Sequence, residues 1–240
     1  MRLGESLSYY LIAAFTSLTE NICFSYHEDL NSPMENWMPY LTLALLWLAY
    51  FVLHSLLAAN RLKAFLKAKM GSAARYYRLL YNLVATITIL PVLLYNALIS
   101  RHLLLPASWK DILTVIGLIL ATYGILILRM AFRQYSLKDF LGFRQVKEGE
   151  QEEPFSRDGI LAVVRHPLYT GGLLILLGFW IFSPTLANLV TVMMLTAYIL
   201  IGIRLEENKL IEQYGEEYRQ YQQEVPMLIP RPGSLKQLKK

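Results

Sequence analysis

Two short clusters hold most of the side chains able to do chemistry in this 240-residue chain. The first is Arg165, His166, Pro167 and Tyr169, at the head of "VRHPLYTGGLLILLGFW"; the second is Arg204, Glu206 and Glu207 in "RLEENKL". Proline favours the first turn of a helix, where its missing N–H is no loss, so the pattern predicts a helix starting at about Pro167. His166 then lies beside amides that no helical carbonyl satisfies, a place that attracts a carboxylate or another anion. Tyr169 adds a phenol within the first turn. Gly171, Gly172 and Gly178 follow, and glycine in an apolar helix lets a neighbouring backbone or a ligand come close. These residues alone also allow a plainer reading, a capped apolar helix with a small-residue packing face. Adjacent carboxylates at the edge of an apolar segment are costly unless they face water or a partner. Glu206 and Glu207 point about 100° apart on a helix, so one can serve a site while the other meets solvent or a base.

The elements that must position these groups are apolar. The chain is 55% hydrophobic and only 17% charged, where a soluble domain carries about 25% charged residues. Uninterrupted apolar runs occur at 38–58, 79–99, 112–130, 168–182 and 186–203. About 20 helical residues cross a hydrocarbon core roughly 30 Å thick. The first three runs reach that length, 168–182 is short, and 186–203 is near the lower limit. The expectation is an all-α integral membrane protein with five transmembrane helices and a cytoplasmic amphipathic tail helix. Residues 7–24 form a marginal sixth membrane helix, interrupted by Ser8, Thr16, Ser17, Thr19 and Glu20. Arg2 makes only a thin basic region and no clear cleavage site follows, so this segment does not read as a signal peptide. The chain divides into an extension, 1–36, a three-helix membrane region, 37–131, and a core, 132–240, carrying the helical hairpin and tail.

The net charge of +5 matters through its distribution. Arg61, Lys63, Lys67, Lys69, Arg75 and Arg78 fill the loop expected at 59–78, and further basic residues populate 129–165 and 204–240. Five spans put all three regions on one face, and Lys and Arg accumulate on the cytoplasmic face. The carboxyl terminus is therefore expected in the cytoplasm, in a polytopic protein of a bacterial inner membrane. Basic loops beside apolar spans meet anionic head groups, so membrane lipids are the expected partners; no nucleic acid is called for and no obligate protein partner is evident. Cys23 is the single cysteine, and His27, His54, His102 and His166 lack ligand spacing, so no metal site is expected.

A short hairpin between the fourth and fifth spans brings residues 165–169 and 204–207 to the same side, where a histidine, a tyrosine, two arginines and two acids converge. Beyond it, Leu205, Leu210, Ile211, Tyr214, Tyr218 and Tyr221 recur at three- and four-residue steps, predicting one helix with an apolar-aromatic stripe at the head-group boundary, ended by Val225 and Pro226. A helix stabilised only by its own surface charges is the plainer alternative. His54, with Ser55 in "FVLHSLLA", lies near the cytoplasmic end of an apolar span. It is equally a functional candidate and a satisfied helix–helix contact; Tyr77, Tyr81 and Asn82 sit at the matching end of the second span.

"VRHPLYTGGLLILLGFW" followed after a hairpin by "RLEENKLIEQYGEEYRQYQQEVPMLIPRP" resembles the carboxyl-terminal core of the isoprenylcysteine carboxyl methyltransferase family. That core recurs in phospholipid N-methyltransferases and in bacterial membrane methyltransferases. "HSLLAANRLKAFLK" and "YYRLLYN" are similar to bacterial members, some associated with nitrite and nitric oxide reduction. The resemblance implies a methyltransferase using S-adenosylmethionine, with its cofactor pocket at the cytoplasmic ends of the last two spans and the tail. On that basis the cofactor-binding set is Arg165, His166, Pro167, Tyr169, Gly171, Glu207 and Tyr218. His166 and Tyr169 would hold the cofactor's amino-acid portion, Glu207, with Glu206, the tail side, and the tail aromatics with "VPMLIP" the adenosine. Arg204 would orient a lipidic or amphiphilic acceptor or neutralise its carboxylate. The amino-terminal extension has no counterpart, and no prenyl groove is identifiable.

Methyl transfer from a sulfonium is an in-line displacement in which alignment and exclusion of water do most of the work. A carboxylate acceptor needs no base; a thiol or amine must lose a proton, for which His54 and Glu206 are the candidates. The catalytic set is therefore Arg204, Glu206 and His54. Three other classes stand beside this reading. A haem-binding membrane isomerase or nitrogen-oxide accessory protein would use His54 with His166 or His102 as axial ligands. A sterol-type reductase shares an Arg-His-Pro motif but is generally longer. A non-catalytic lipid-binding scaffold leaves the clustered ionisable groups unexplained.

Overall fold

A computed structural model of the chain describes residues 37–99, 102–134, 141–143, 146, 155–232 and 234. The chain divides into two compact units, Met1–Pro39 and Tyr40–Lys240. The marginal helix at 7–24, Glu20, His27 and the loop expected at 147–153 lie outside the described residues.

Among the described residues the second unit is helical, with nothing more strand-like than an isolated bridge between Leu103 and Thr185. The α-helices are α1 (Met38–Ala58), α2 (Asn60–Met70), α3 (Tyr77–Ile99), α4 (Lys110–Gln134), α5 (Pro167–Phe182), α6 (Leu186–Tyr214) and α7 (Glu216–Glu224). Four apolar helical stretches are long enough to cross a membrane: Met38–Ala58, Asn60–Ile99, Ala107–Gln134 and Leu186–Tyr214. The chain is thus built as an integral membrane protein. Helix α5 is apolar but has 16 residues, about 24 Å, shorter than a ~30 Å hydrocarbon core. Four of the five expected spans therefore meet the length requirement. The expected basic loop at 59–78 is instead helical, as α2 and a 3₁₀ segment, Gly71–Tyr76. Its Lys, Leu and Ala are good helix formers, and Gly71, at a φ of 55°, ends α2.

Helices α1, α3 and α6 pack through Leu43, Trp47, Phe51, Val92 and Ala187. A chain of buried hydrogen bonds threads this core. Trp47 Nε1 donates to Thr191 Oγ1 at 2.9 Å, Thr191 Oγ1 to Asn96 Oδ1 at 2.8 Å, and Asn96 Nδ2 to Asn188 Oδ1 at 2.8 Å. Asn188 Nδ2 closes the chain on the Ser183 carbonyl at 2.8 Å. Asn96, Asn188 and Thr191 are buried, so each polar group needs a protein partner, and these bonds fix the mutual rotation of the three helices.

Helices α4 and α5 are held by paired glycines. A Cβ on Gly124 would lie 2.6 Å from the Gly171 carbonyl oxygen, and one on Gly178 2.6 Å from that of Gly117. Only glycine permits backbones this close. At the α5–α6 turn, Thr185 Oγ1 accepts from the Asn188 amide at 3.2 Å, and the Leu104 and Leu186 amides donate to the Pro184 and His102 carbonyls. This pins the loop before α4 to one end of the hairpin and leaves the other end to the ionisable cluster.

Candidate functional site

Helix α5 begins at Pro167, as its N1 residue, immediately after His166. Helix α6 runs the opposite way, and its apolar stretch gives way to Arg204, Glu206 and Glu207. Gly215, at a φ of 58°, then turns the chain into α7. The expected single tail helix is therefore broken. Leu205 is 58% exposed, whereas Tyr218, Tyr221 and Val225 form a buried cluster with Phe155, Leu210, Ile211 and Tyr214. The tyrosines expected at the head-group boundary instead pack against the protein. The sequence signal for this lay in Gly215, the one residue of the segment suited to a left-handed turn.

The segment after α7 is clamped along the start of α5. The Arg165 and His166 amides donate to the Pro226 and Met227 carbonyls at 2.9 and 3.1 Å, and Thr170 Oγ1 donates to the Leu228 carbonyl at 2.9 Å. Tyr221 Oη donates to the Leu161 carbonyl at 2.6 Å. Arg157, which sequence reasoning passed over, adds a second clamp. Its guanidinium stacks over Phe155 and Tyr221 and pairs with Glu217 and Glu224 at 3.8 and 3.6 Å.

Glu207 is the hub. Its Oε1 accepts from Arg165 Nε at 2.7 Å, lies 3.1 Å from His166 Nε2, and accepts from Tyr218 Oη at 3.4 Å. Its Oε2 accepts from Gln222 Nε2 at 3.0 Å. The side chains of Arg165, His166 and Glu207 are only 9%, 5% and 12% exposed. Arg165 also donates through Nη1 to the Gln222 and Val225 carbonyls at 3.0 and 2.5 Å. Burial pushes the Tyr218 phenol above its ordinary value near 10, and the Glu207 charge adds to the shift. Tyr218 therefore stays protonated and able to donate. Gln222 is a further member the sequence left unflagged, because a glutamine on a polar helix face carries no signal.

Glu206 lies one step round the helix. Its carboxylate is 4.0 Å from His166 Nδ1 and 47% exposed. The two acids thus divide as their 100° separation predicts: one locked in the protein, the other open. Tyr169 sits beside His166, ring centroids 5.7 Å apart.

Three candidates are placed elsewhere. Arg204 is exposed on α6 and makes none of the cluster's ion pairs, which are taken by Arg165 and His166. Gly171 faces Gly124 and Leu128 of α4, so it is a helix-crossing residue with no room for a ligand. A Cβ at Gly172 meets nothing within 4 Å, and the same is true of Gly202 on α6. His54 belongs to a second group. Tyr81 Oη is 2.6 Å from its Nε2 and 3.2 Å from its Nδ1, Tyr50 stacks on it at 5.7 Å, and Tyr198 meets it edge-on at 6.1 Å. Ser55 Oγ shares a hydrogen bond with Tyr198 Oη at 3.1 Å.

The haem reading needs His54 with His166 or His102, and the three have separate surroundings: His54 meets Tyr81, Tyr50 and Tyr198, His166 meets Glu207, Glu206 and Tyr169, and the His102 carbonyl holds the α5–α6 turn. Among the described residues no group of three His, Cys, Asp or Glu side chains is placed to hold a metal ion.

A family profile described as "Protein of unknown function (DUF1295)" matches residues 59–225. Several curated proteins named methanethiol S-methyltransferase are similar to parts of the chain. The Crocosphaera subtropica protein is 42% identical over 102 residues, 40% of this chain and 38% of its own length. The Pseudomonas deceptionensis protein is 47% identical over 77 residues, 30% and 28% of the two chains. The Mycobacterium tuberculosis protein is 34% identical over 101 residues, 39% and 40%. The matched stretch thus spans two fifths or less of these relatives. No solved structure matches the chain.

Proposed function

This chain belongs to the DUF1295 family, and we propose that it is a membrane-embedded methyltransferase that uses S-adenosylmethionine to methylate a thiol. The observation that carries the reading is the ionisable cluster at the head of α5, closed by a docked tail, in a chain similar to enzymes named for methylating a thiol. Kinship with isoprenylcysteine carboxyl methyltransferases is part of the proposal, resting on the paired "RHPLYTGG" and "RLEENKL" segments. So is the orientation, with the tail and the basic ends of the spans in the cytoplasm of a bacterial inner membrane.

The residues present fit the cofactor. Its carboxylate suits the helix start at His166 and Pro167, where the first α5 amides have no helical acceptor. Its ammonium suits Glu206, the carboxylate the protein leaves half in solvent. Tyr169 and the space beside Gly172 flank that position. Arg165, Glu207, Gln222 and Tyr218 act one step back: they tie the tail to the hairpin, hold His166 in one orientation and exclude water from one wall. Bound there, S-adenosylmethionine supplies an electrophilic methyl group. A thiol acceptor would reach it from the bilayer. The outward position of Arg204 disfavours a carboxylate acceptor, because no other cation of the cluster is left unpaired.

The test is calorimetric titration of the purified protein in detergent with S-adenosylmethionine, alongside chromatographic detection of the thioether formed from methanethiol. Binding in the roughly micromolar range usual for enzymes is expected. His166→Ala or Glu206→Ala should weaken it about tenfold or more, since a hydrogen bond to a charged group contributes about 1.5–3 kcal/mol. Wild-type protein that takes up no cofactor would sink the proposal.

A further inference from the structure

The histidine of the second group lies away from the ionisable cluster, but helix α6 connects the two. Tyr198, Gly202 and Glu206 follow one another at four-residue steps, so they form one strip along α6. Tyr198 ends the strip against His54, and Glu206 ends it against His166. Between them, Gly202 contributes no side chain, and a Cβ built there would meet nothing within 4 Å. The strip spans about 12 Å from Tyr198 to Glu206.

From this we infer that the opening at Gly202 seats the acceptor of the proposed reaction, a small neutral thiol, and that His54, held by Tyr81, takes its proton. The inference rests on the methyltransferase reading above and adds to it the acceptor site. The side chains around His54, one turn of α6 from Gly202, are aromatic: Tyr50 on α1, Tyr81 on α3 and Tyr198 on α6, with Phe51 of α1 stacked on Tyr198 at 4.2 Å. Sulfur makes favourable contacts with aromatic rings. The groups facing His54 are Tyr50 on its own helix, Tyr81 from α3 with Arg78 acting on it from one turn earlier, and Tyr198 from α6. No carboxylate among the described residues pairs with His54. A charged acceptor would find no counter-ion there, whereas a neutral S–H loses little by entering.

The chemistry follows from the tautomer. Tyr81 Oη lies nearer to Nε2, at 2.6 Å, than to Nδ1, at 3.2 Å; with Nε2–H donating to the phenol oxygen, Nδ1 keeps its lone pair. The thiol passes its proton to that nitrogen, and its sulfur forms the new bond to the methyl carbon. The old carbon–sulfur bond breaks with its electron pair going to the donor sulfur, which leaves as a neutral thioether. The imidazolium then returns its proton to water.

The test uses the full chain in detergent, with ethanethiol as probe. His54→Gln should bind S-adenosylmethionine within about twofold of wild type. Its methyl transfer near pH 7 should be lower by about 100-fold or more, the range for loss of a general base. That deficit should shrink as pH rises and the thiol ionises without help, a recovery that a merely structural role would not produce. Independently of turnover, the His54 ring signal in histidine-labelled protein, assigned by its loss in His54→Gln, should move on adding ethanethiol without cofactor. It should not move in Gly202→Leu, which fills the opening. A His54→Gln deficit that persists unchanged at high pH, unaltered transfer in that variant, or a His54 signal indifferent to ethanethiol overturns the inference and leaves the methyltransferase reading standing. Wild-type protein that binds no cofactor overturns both.

Discussion

Glu207→Ala isolates the hub of the site. The substitution removes the only carboxylate bonded to Arg165 among the described residues and leaves that guanidinium 9% exposed, with the Gln222 and Val225 carbonyls as its remaining acceptors. It also strips His166 Nε2, Tyr218 and Gln222 of their shared acceptor. Removing one partner of a buried ion pair costs about 3–5 kcal/mol, and the two surviving carbonyls place this case toward the lower end. That energy is spent where the tail meets the hairpin, so the tail should open before the spans unfold. The readout is hydrogen exchange of peptides covering 160–170 and 216–228, where the Arg165 and His166 amides bond to the Pro226 and Met227 carbonyls. At 1.4 kcal/mol per factor of ten, exchange there should accelerate by about two to three orders of magnitude. Peptides from α1 and α3 should be unaffected. Glu207→Gln, which keeps an acceptor oxygen but loses the charge, should fall between the two. Exchange at the tail within about threefold of wild type in Glu207→Ala would refute the reasoning, because the tail would then be held by its aromatic contacts alone.

Three further outcomes are expected. Gly124→Val should destabilise the protein by at least the about 1–3 kcal/mol of an overpacked core, since a Cβ there already stands 2.6 Å from the Gly171 carbonyl oxygen; melting in detergent reads the loss, and Gly172→Ala, with open space, is the neutral comparison. Asn96→Leu should cost about 1–3 kcal/mol by leaving the Thr191 hydroxyl and the Asn188 amide oxygen short of partners, measured by Trp47 fluorescence during denaturation. The Tyr218 phenol is raised above its ordinary value near 10 by burial first and Glu207 second. For an acid raised in the folded state, the stabilisation is complete below the unfolded value and is lost progressively as pH climbs from there through the folded one. Tail docking should thus show no Tyr218 dependence between pH 6 and 9, and ultraviolet titration of wild type against Tyr218→Phe should reveal one phenol ionising later than the exposed tyrosines.

Much of the fold was legible because bilayer physics writes itself into composition. The run at 38–58 matches α1 residue for residue, and Pro167 marks the start of α5. Helical period likewise separated Glu206 from Glu207 before either was placed. What stayed hidden depended on partners distant in the chain. Gly171 and Gly172 are adjacent and identical, yet one faces another backbone and the other open space, and only the crossing of α4 over α5 distinguishes them. Trp47, Asn96, Asn188 and Thr191 carry no motif, because a polar residue in an apolar run reads the same whether it lines a pathway or joins helices. Arg204 read as part of the cluster from its position in the chain, but it stays exposed on α6 while Arg165, far away in the chain, takes Glu207.

The sequence by itself determined that this chain is helical, membrane-embedded and charged at one end of its last hairpin. Length, apolar periodicity and the expense of burying charge are local properties that survive without any knowledge of packing. Only the tertiary structure decided which of those charges meet. The turn at Gly215 folds the tail back onto α5, so that Glu207 becomes a buried hub while Glu206, one residue earlier, remains open. The reason is that a side chain's partners are set by the rotation and crossing of whole helices, and these are fixed by glycine contacts and hydrogen bonds between residues far apart in the chain.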